Sequence, residues 1–207
     1  RPASGGELCT ARLLLALQDA GHQVRWIGRG QAAGAVSIGP VEPAFDDQPP
    51  HRRAAGLLAA WARGEASTVQ RLGAGGAARR AAAALLAAPT DALVVDHLQA
   101  WAWVRPVHRQ LPPPLLVLHN LEAAGYAAQA RLARGLRQRV LQREARLLGA
   151  LEADALAHAA AVACLSDDDV RALPPGPARV VQLPGYPLAG QPAPVPGAVA
   201  RGTGVVI

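Results

Sequence analysis

Pro114-Leu115-Leu116-Val117-Leu118-His119-Asn120-Leu121-Glu122 decides how this chain folds. Four aliphatic residues follow a proline run and stop abruptly at His119-Asn120. A continuous apolar run, rather than an alternating one, is the pattern of a parallel strand covered on both faces. Ligands of open α/β sheets sit outside the carboxyl ends of such strands. His119 and Asn120 therefore stand where chemistry is expected.

Asp91-Ala92-Leu93-Val94-Val95-Asp96 repeats the pattern upstream and opens into His97. Further strands are predicted over residues 23–27, 35–38, 159–165, 179–183 and 204–207. Helical spacing recurs over residues 7–20, stopped by Gly21 in the C′ position, over 54–63, and over 77–88, stopped by Pro89. A longer helical region covers residues 124–160 with a break, and Ser166 before Asp167-Asp168-Asp169 starts another helix. Residues 28–55 read as a long irregular surface loop, and 187–203 as a linker rich in Pro, Gly and Ala. Strands alternating with helices predict an α/β fold, a Rossmann-like parallel sheet with helices on both faces. No repeat at a solenoid period is visible.

With 207 residues, 51% of them hydrophobic, the chain can bury a sizeable core without disulfides. Cys9 and Cys164 are its two cysteines, far apart in sequence, and reduced thiols in a cytoplasmic compartment are expected. No apolar run reaches the roughly 18 residues of a membrane span. The opening Arg1-Pro2-Ala3-Ser4-Gly5 has no secretory-leader pattern, and without Met the natural N-terminus is expected upstream. All 21 basic residues behind the net charge of +6 are Arg, which reads, with abundant Ala, Gly and Pro, as codon bias in a GC-rich bacterial genome. A pI near 10.8 invites a nucleic-acid reading. Aromatics are only 3%, however, and no zinc, RNP or Arg-Gly motif is present, so no nucleic-acid partner is expected.

Ser4-Gly5-Gly6-Glu7 joins a glycine loop to a helix start, where exposed amides and the helix dipole attract phosphate. An ordinary N-cap turn would read the same. Gly28-Arg29-Gly30 follows a strand but opens no helix. Gly73-Ala74-Gly75-Gly76-Ala77-Ala78 opens a helix, with Asp96 about 20 residues beyond, as a dinucleotide fingerprint requires. Its preceding segment, residues 67–72, is too polar for a central strand. Asp96-His97 and His119-Asn120 end two neighbouring strands, so a carboxylate and two imidazoles converge for general-base, orienting or phosphate-pairing work. The plainer reading makes each a strand-end cap. No His, Cys or Asp spacing matches a metal site, so neither metal nor cofactor is expected. Across residues 131–152, Leu136, Val140, Leu147 and Leu151 share one helical face, and Arg131, Arg139, Arg143 and Arg146 another. Such a face is solvated, or it contacts anionic lipid headgroups or a lipid-diphosphate acceptor.

The order of these motifs resembles the N-terminal domain of GT-B-fold glycosyltransferases, in particular the large retaining family of group 1/family 4 type. Ser4-Gly5-Gly6-Glu7, the leucines 13–17 and Ala20-Gly21-His22-Gln23-Val24 resemble its start. Asp91 to Asp96 is similar to its "D-x-h-h-h" strand, and Leu116 to Glu122 to its "h-h-x-H-N-x-E" strand end. Arg143 to Asp154 and Ala163 to Asp169 resemble two later elements. The resemblance implies an acceptor-binding Rossmann-like domain over residues 1–187. Residues 188–207 would be a linker and the start of a donor-binding domain whose remainder is missing, as is the strand before the glycine loop. The complete enzyme would move a sugar from a nucleotide-sugar donor to a glycan, lipid-linked or small-molecule acceptor, with retention. It would work in the cytoplasm, with contact at an anionic inner membrane face left open, and the fragment alone would be inactive. His119 would be catalytic, Gly5 and Gly6 would approach the donor diphosphate, and Asp96, His97, Asn120 and Glu122 would line the acceptor side. Cys9 stands where the family commonly has Arg, and Pro184-Gly185-Tyr186 replaces its Asn-Gly turn. Two competing readings are an NAD(P)-dependent oxidoreductase using residues 73–78 with Asp96, and a non-catalytic Rossmann-like binding domain.

Overall fold

A computed structural model describes residues 5–28, 36–37, 49–71, 76–176, 179–183 and 203–206. Its strands are β1 (Gln23–Trp26), β2 (Val36–Ser37), β3 (Ala92–Asp96), β4 (Leu115–Leu118), β5 (Ala161–Cys164), β6 (Arg179–Gln182) and β7 (Thr203–Val206). They form one parallel sheet in the order β2-β1-β7-β3-β4-β5-β6. Around it lie α1 (Gly5–Asp19), α2 (Pro50–Ala62), α3 (Ser67–Arg71), α4 (Gly76–Leu86), α5 (Trp101–Val104), α6 (Glu122–Leu132), α7 (Gly135–His158) and α8 (Asp167–Ala172). The expected α/β architecture with a parallel sheet is present.

Side-chain alternation along the central strands explains why their sequences are apolar throughout. Leu93, Val95, Leu116, Leu118, Val162 and Cys164 point into one core with Leu85 of α4, Trp101 and Val104 of α5, and Leu148 of α7. Val94, Val117 and Ala163, one residue out of phase, enter a second core against Leu14 of α1. Both sides of these strands are thus buried, which removes any polar phase. Prolines 112–114 hold β4 to a shorter span than residues 112–118, since a proline nitrogen has no hydrogen to donate. The Pro114 carbonyl still accepts from Ala160 N at 2.9 Å.

Gly21 ends α1 as expected. At φ 85° it closes a Schellman turn, with Gly21 N donating to Gln18 O (2.8 Å) and His22 N to Leu17 O (3.1 Å). The expected break in residues 124–160 falls at Ala133-Arg134, where extended backbone separates α6 from α7. Ser166 caps α8, its Oγ accepting from Asp169 N at 3.1 Å.

Three placements differ from expectation. α3 occupies part of the segment read only as polar, and residues 98–110, given no element, hold a 3-10 turn, α5 and a second 3-10 turn. On α7 the core-facing residues are Glu144, Leu148 and Ala155, with Leu147 and Leu151 packed beside them. Leu136 and Val140 instead face solvent, 78% and 46% exposed. Residues 203–206 form β7, which pairs with β1 on one side and β3 on the other.

Candidate functional site

The carboxyl ends of β3 and β4 lie side by side, with Asp96 opposite Val117 and His97 N donating to Val117 O at 3.0 Å. That register carries Asp96, His97 and His119 to one spot. Asp96 is 4% exposed, and a buried carboxylate is tolerated only when its oxygens are partnered. Both are: His119 Nε2 donates to Oδ1 at 2.7 Å, and the Thr10 hydroxyl of α1 donates to Oδ2. Holding Nε2 this way fixes the imidazole plane and leaves Nδ1 for a second partner. His97 lies over His119, ring centroids 3.7 Å apart and planes 11° from parallel.

His97 reaches that position through a left-handed backbone, φ 74°, the one positive φ among described non-glycine residues. Such a conformation costs a residue with a Cβ about 1–3 kcal/mol and persists where surrounding contacts enforce it. Burial lowers the pKa of His97, its neighbour His119 adds to this, and Asp96 opposes it. The ring is accordingly biased toward neutral imidazole. Cys9, one residue before Thr10, has its thiol pushed up first by burial and then by Asp96, against Arg12. It is a weak nucleophile there.

Other expected residues are placed differently. Gly5 and Gly6 are the first two residues of α1, the helix whose Thr10 grips Asp96, rather than part of a loop before it. Asn120, next to His119 in the chain, is exposed. Glu122 opens α6, where its neighbour is Glu152. Glu152 Oε1 accepts from Ala123 N at 3.0 Å, capping a helix whose N-cap residue Leu121 offers no side-chain bond.

Two contributors escaped the sequence reading. Thr10 shares a stripe with Leu14 and Leu17 at i, i+4 and i+7, so a hydroxyl in the sheet-facing row of α1 was the available signal. Glu144 sits in the buried row of α7 and has no partner nearby in sequence except Arg143. Its Oε2 accepts from Ser67 N at 2.7 Å and Ser67 Oγ at 2.9 Å, fastening α3 to α7. Arg143, expected on the solvated basic face, is only 18% exposed at its side chain. It donates to Trp61 O at 2.7 Å and lies over the Trp61 ring at 5.2 Å.

The metal spacing absent from the sequence forms across strands instead. Asp96, His97 and His119 each present a ligand atom, all within 4.8 Å of one another. Among the described residues, no helix is long and apolar enough to cross a membrane. Comparison with family models, curated proteins and solved structures gave no match to this chain. Fold and site together define an α/β protein with a Rossmann-like parallel sheet and a Thr–Asp–His–His cluster at its carboxyl edge.

Proposed function

We propose that this chain is the acceptor-binding part of a GT-B glycosyltransferase that moves a sugar from a nucleotide donor, with retention. The observation that carries the reading is the Thr10–Asp96–His119 chain of hydrogen bonds. It ties α1, which begins with Gly5 and Gly6, to the ends of two central strands, where an open α/β sheet takes its ligand. His119, oriented by Asp96, would accept at Nδ1 from a hydroxyl of the transferred sugar. Amides at the Gly5-Gly6 helix start would stabilise the leaving diphosphate without a change in protonation. In such an enzyme a second domain holds the nucleotide.

An acceptor carried by a lipid has its own support. Arg131, Arg139 and Arg146 are exposed along α6 and α7, and Leu132, Leu136 and Val140 are exposed among them. Arginines mixed with apolar side chains suit an anionic lipid surface. The NAD(P) reading has less behind it. The segment before the glycines at 73–76 holds helix α3 rather than a strand, and both Asp96 oxygens are engaged inside the protein.

Calorimetric titration of the complete protein with UDP- and GDP-sugars and with NAD(P) tests the class. Binding of a nucleotide sugar is expected, and tight NAD(P) binding would overturn the reading. His119→Ala should lower transfer about a hundredfold or more. Unimpaired transfer would remove His119 from the site.

A further inference from the structure

We propose that Asp96, His97 and His119 form a binding site for a divalent transition-metal ion of the zinc class. Two imidazoles and one carboxylate are a donor set that zinc, cobalt and nickel ions take readily, with open positions left over. Their ligand atoms lie within 4.8 Å of one another. Donors around an ion with bonds of about 2.0–2.2 Å are about 3–4 Å apart, so His119 Nε2 and Asp96 Oδ1, at 2.7 Å, need to open slightly and the wider separations to close by at most about 1 Å. The ion would take the place of the hydrogen between His119 Nε2 and Asp96 Oδ1, and that hydrogen would pass through solvent to Nδ1, so that the ring binds as neutral imidazole.

The surroundings are those of a held site rather than of three polar residues meeting by chance. Thr10 donates to Asp96 Oδ2, the kind of second contact that orients a ligating carboxylate. β3 and β4 are paired directly beneath the cluster, so Asp96 and His119 cannot drift apart. His97 is kept in a left-handed conformation that any glycine would adopt without strain. Stacking on His119 offsets little of that strain, whereas a shared ion gives the imidazole a reason to be there. Both histidine rings are only partly buried, which leaves solvent access to the ion.

Binding is read without any sugar transfer, so this inference and the transferase reading can fail separately. Chelator-treated protein is titrated with zinc chloride by calorimetry and with cobalt chloride by visible absorption. One saturable site is expected, with cobalt ligand-field bands that zinc abolishes. His119→Ala should weaken binding roughly a hundredfold or more, and Thr10→Val about tenfold. His97→Gly is the decisive variant, because glycine relieves the backbone strain while removing the ligand. It should fold at least as stably as the parent and lose the ion. The joint change His108→Ala with His158→Ala removes the other close histidine pair, 4.4 Å between rings, and should leave binding intact. Absence of a saturable site overturns the proposal. So does a site that survives His97→Gly and His119→Ala, or one lost with His108 and His158.

Discussion

Replacing Glu144 by Ala tests the long-range fastening of α3 to α7. The carboxylate is 5% exposed and receives two donors from Ser67, the first residue of α3, at 2.7 and 2.9 Å. Alanine leaves that N–H and hydroxyl without their acceptor and strips Arg143 of its adjacent counter-charge. Bonds to a charged acceptor are worth about 1.5–3 kcal/mol each, but two on one oxygen do not add fully. Part of the loss is returned, because a buried carboxylate no longer has to be desolvated. A net cost of about 3 kcal/mol follows. For a chain of this size each kcal/mol moves Tm by about 2–4 °C, so a fall of roughly 6–12 °C is expected in a thermal melt. Glu144→Gln retains one acceptor and should lose about half as much. Ser67→Ala in a double-mutant cycle should show coupling of about 1 kcal/mol, since only the hydroxyl bond is removed. Glu144→Ala with Tm within about 2 °C of the parent would refute the fastening.

Burial raises the Glu152 carboxyl above its ordinary value of 4.5; nearby Glu122 adds to this, while the Ala123 and Glu122 amides oppose it. The folded chain therefore holds the proton longer than the unfolded one, so stability falls as pH rises between the two values and then levels off. Glu152→Gln should flatten that slope in melts taken from about pH 4 to pH 7, and an unchanged slope would assign it to another group. Burial, then Asp169, pushes the Cys164 thiol up to about 11. Iodoacetamide near neutral pH should leave Cys164 unmodified in mass spectra until the protein unfolds, and prompt native labelling would contradict its burial. Changing Arg131, Arg139 and Arg146 together to Gln should reduce sedimentation with anionic vesicles about a hundredfold at low salt. Equal sedimentation would dismiss the lipid contact, and Arg143 is left intact because it holds Trp61.

The central strands were legible because burial on both faces leaves no polar phase to confuse the reading. β3, β4 and β5 appear as aliphatic runs, and each ends close to where a polar residue begins. Gly21 and Ser166 were readable for the same kind of reason, since local backbone chemistry fixes a helix end or start. Asp96 and His119 were placed from strand ends alone, before any partner was known. Contacts between distant segments were not legible. A wheel drawn on α7 shows an apolar stripe but not which turns the rest of the protein covers, so it does not tell that Leu136 and Val140 stay exposed while Leu147 and Leu151 pack on the core. Four polar residues and the single apolar Val69 in α3 carry no periodicity to detect. Thr10 and Glu144 have sequence signals only as polar positions in buried rows, and their partners lie far along the chain.

The place of β7 sets the order in which this sheet can be assembled. Val94 pairs with Leu115 and Ala161 with Arg179, close neighbours in sequence, so β3 to β6 can zip together early. Gln23 pairs with Thr203, almost the whole chain away, and among the described strands β7 alone joins β1 to β3. Closing so long a loop is slow, because its entropy is lost before any contact compensates. The β1–β2 edge therefore docks last and detaches first, while the strands bearing Asp96 and His119 belong to the unit that forms early and holds longest.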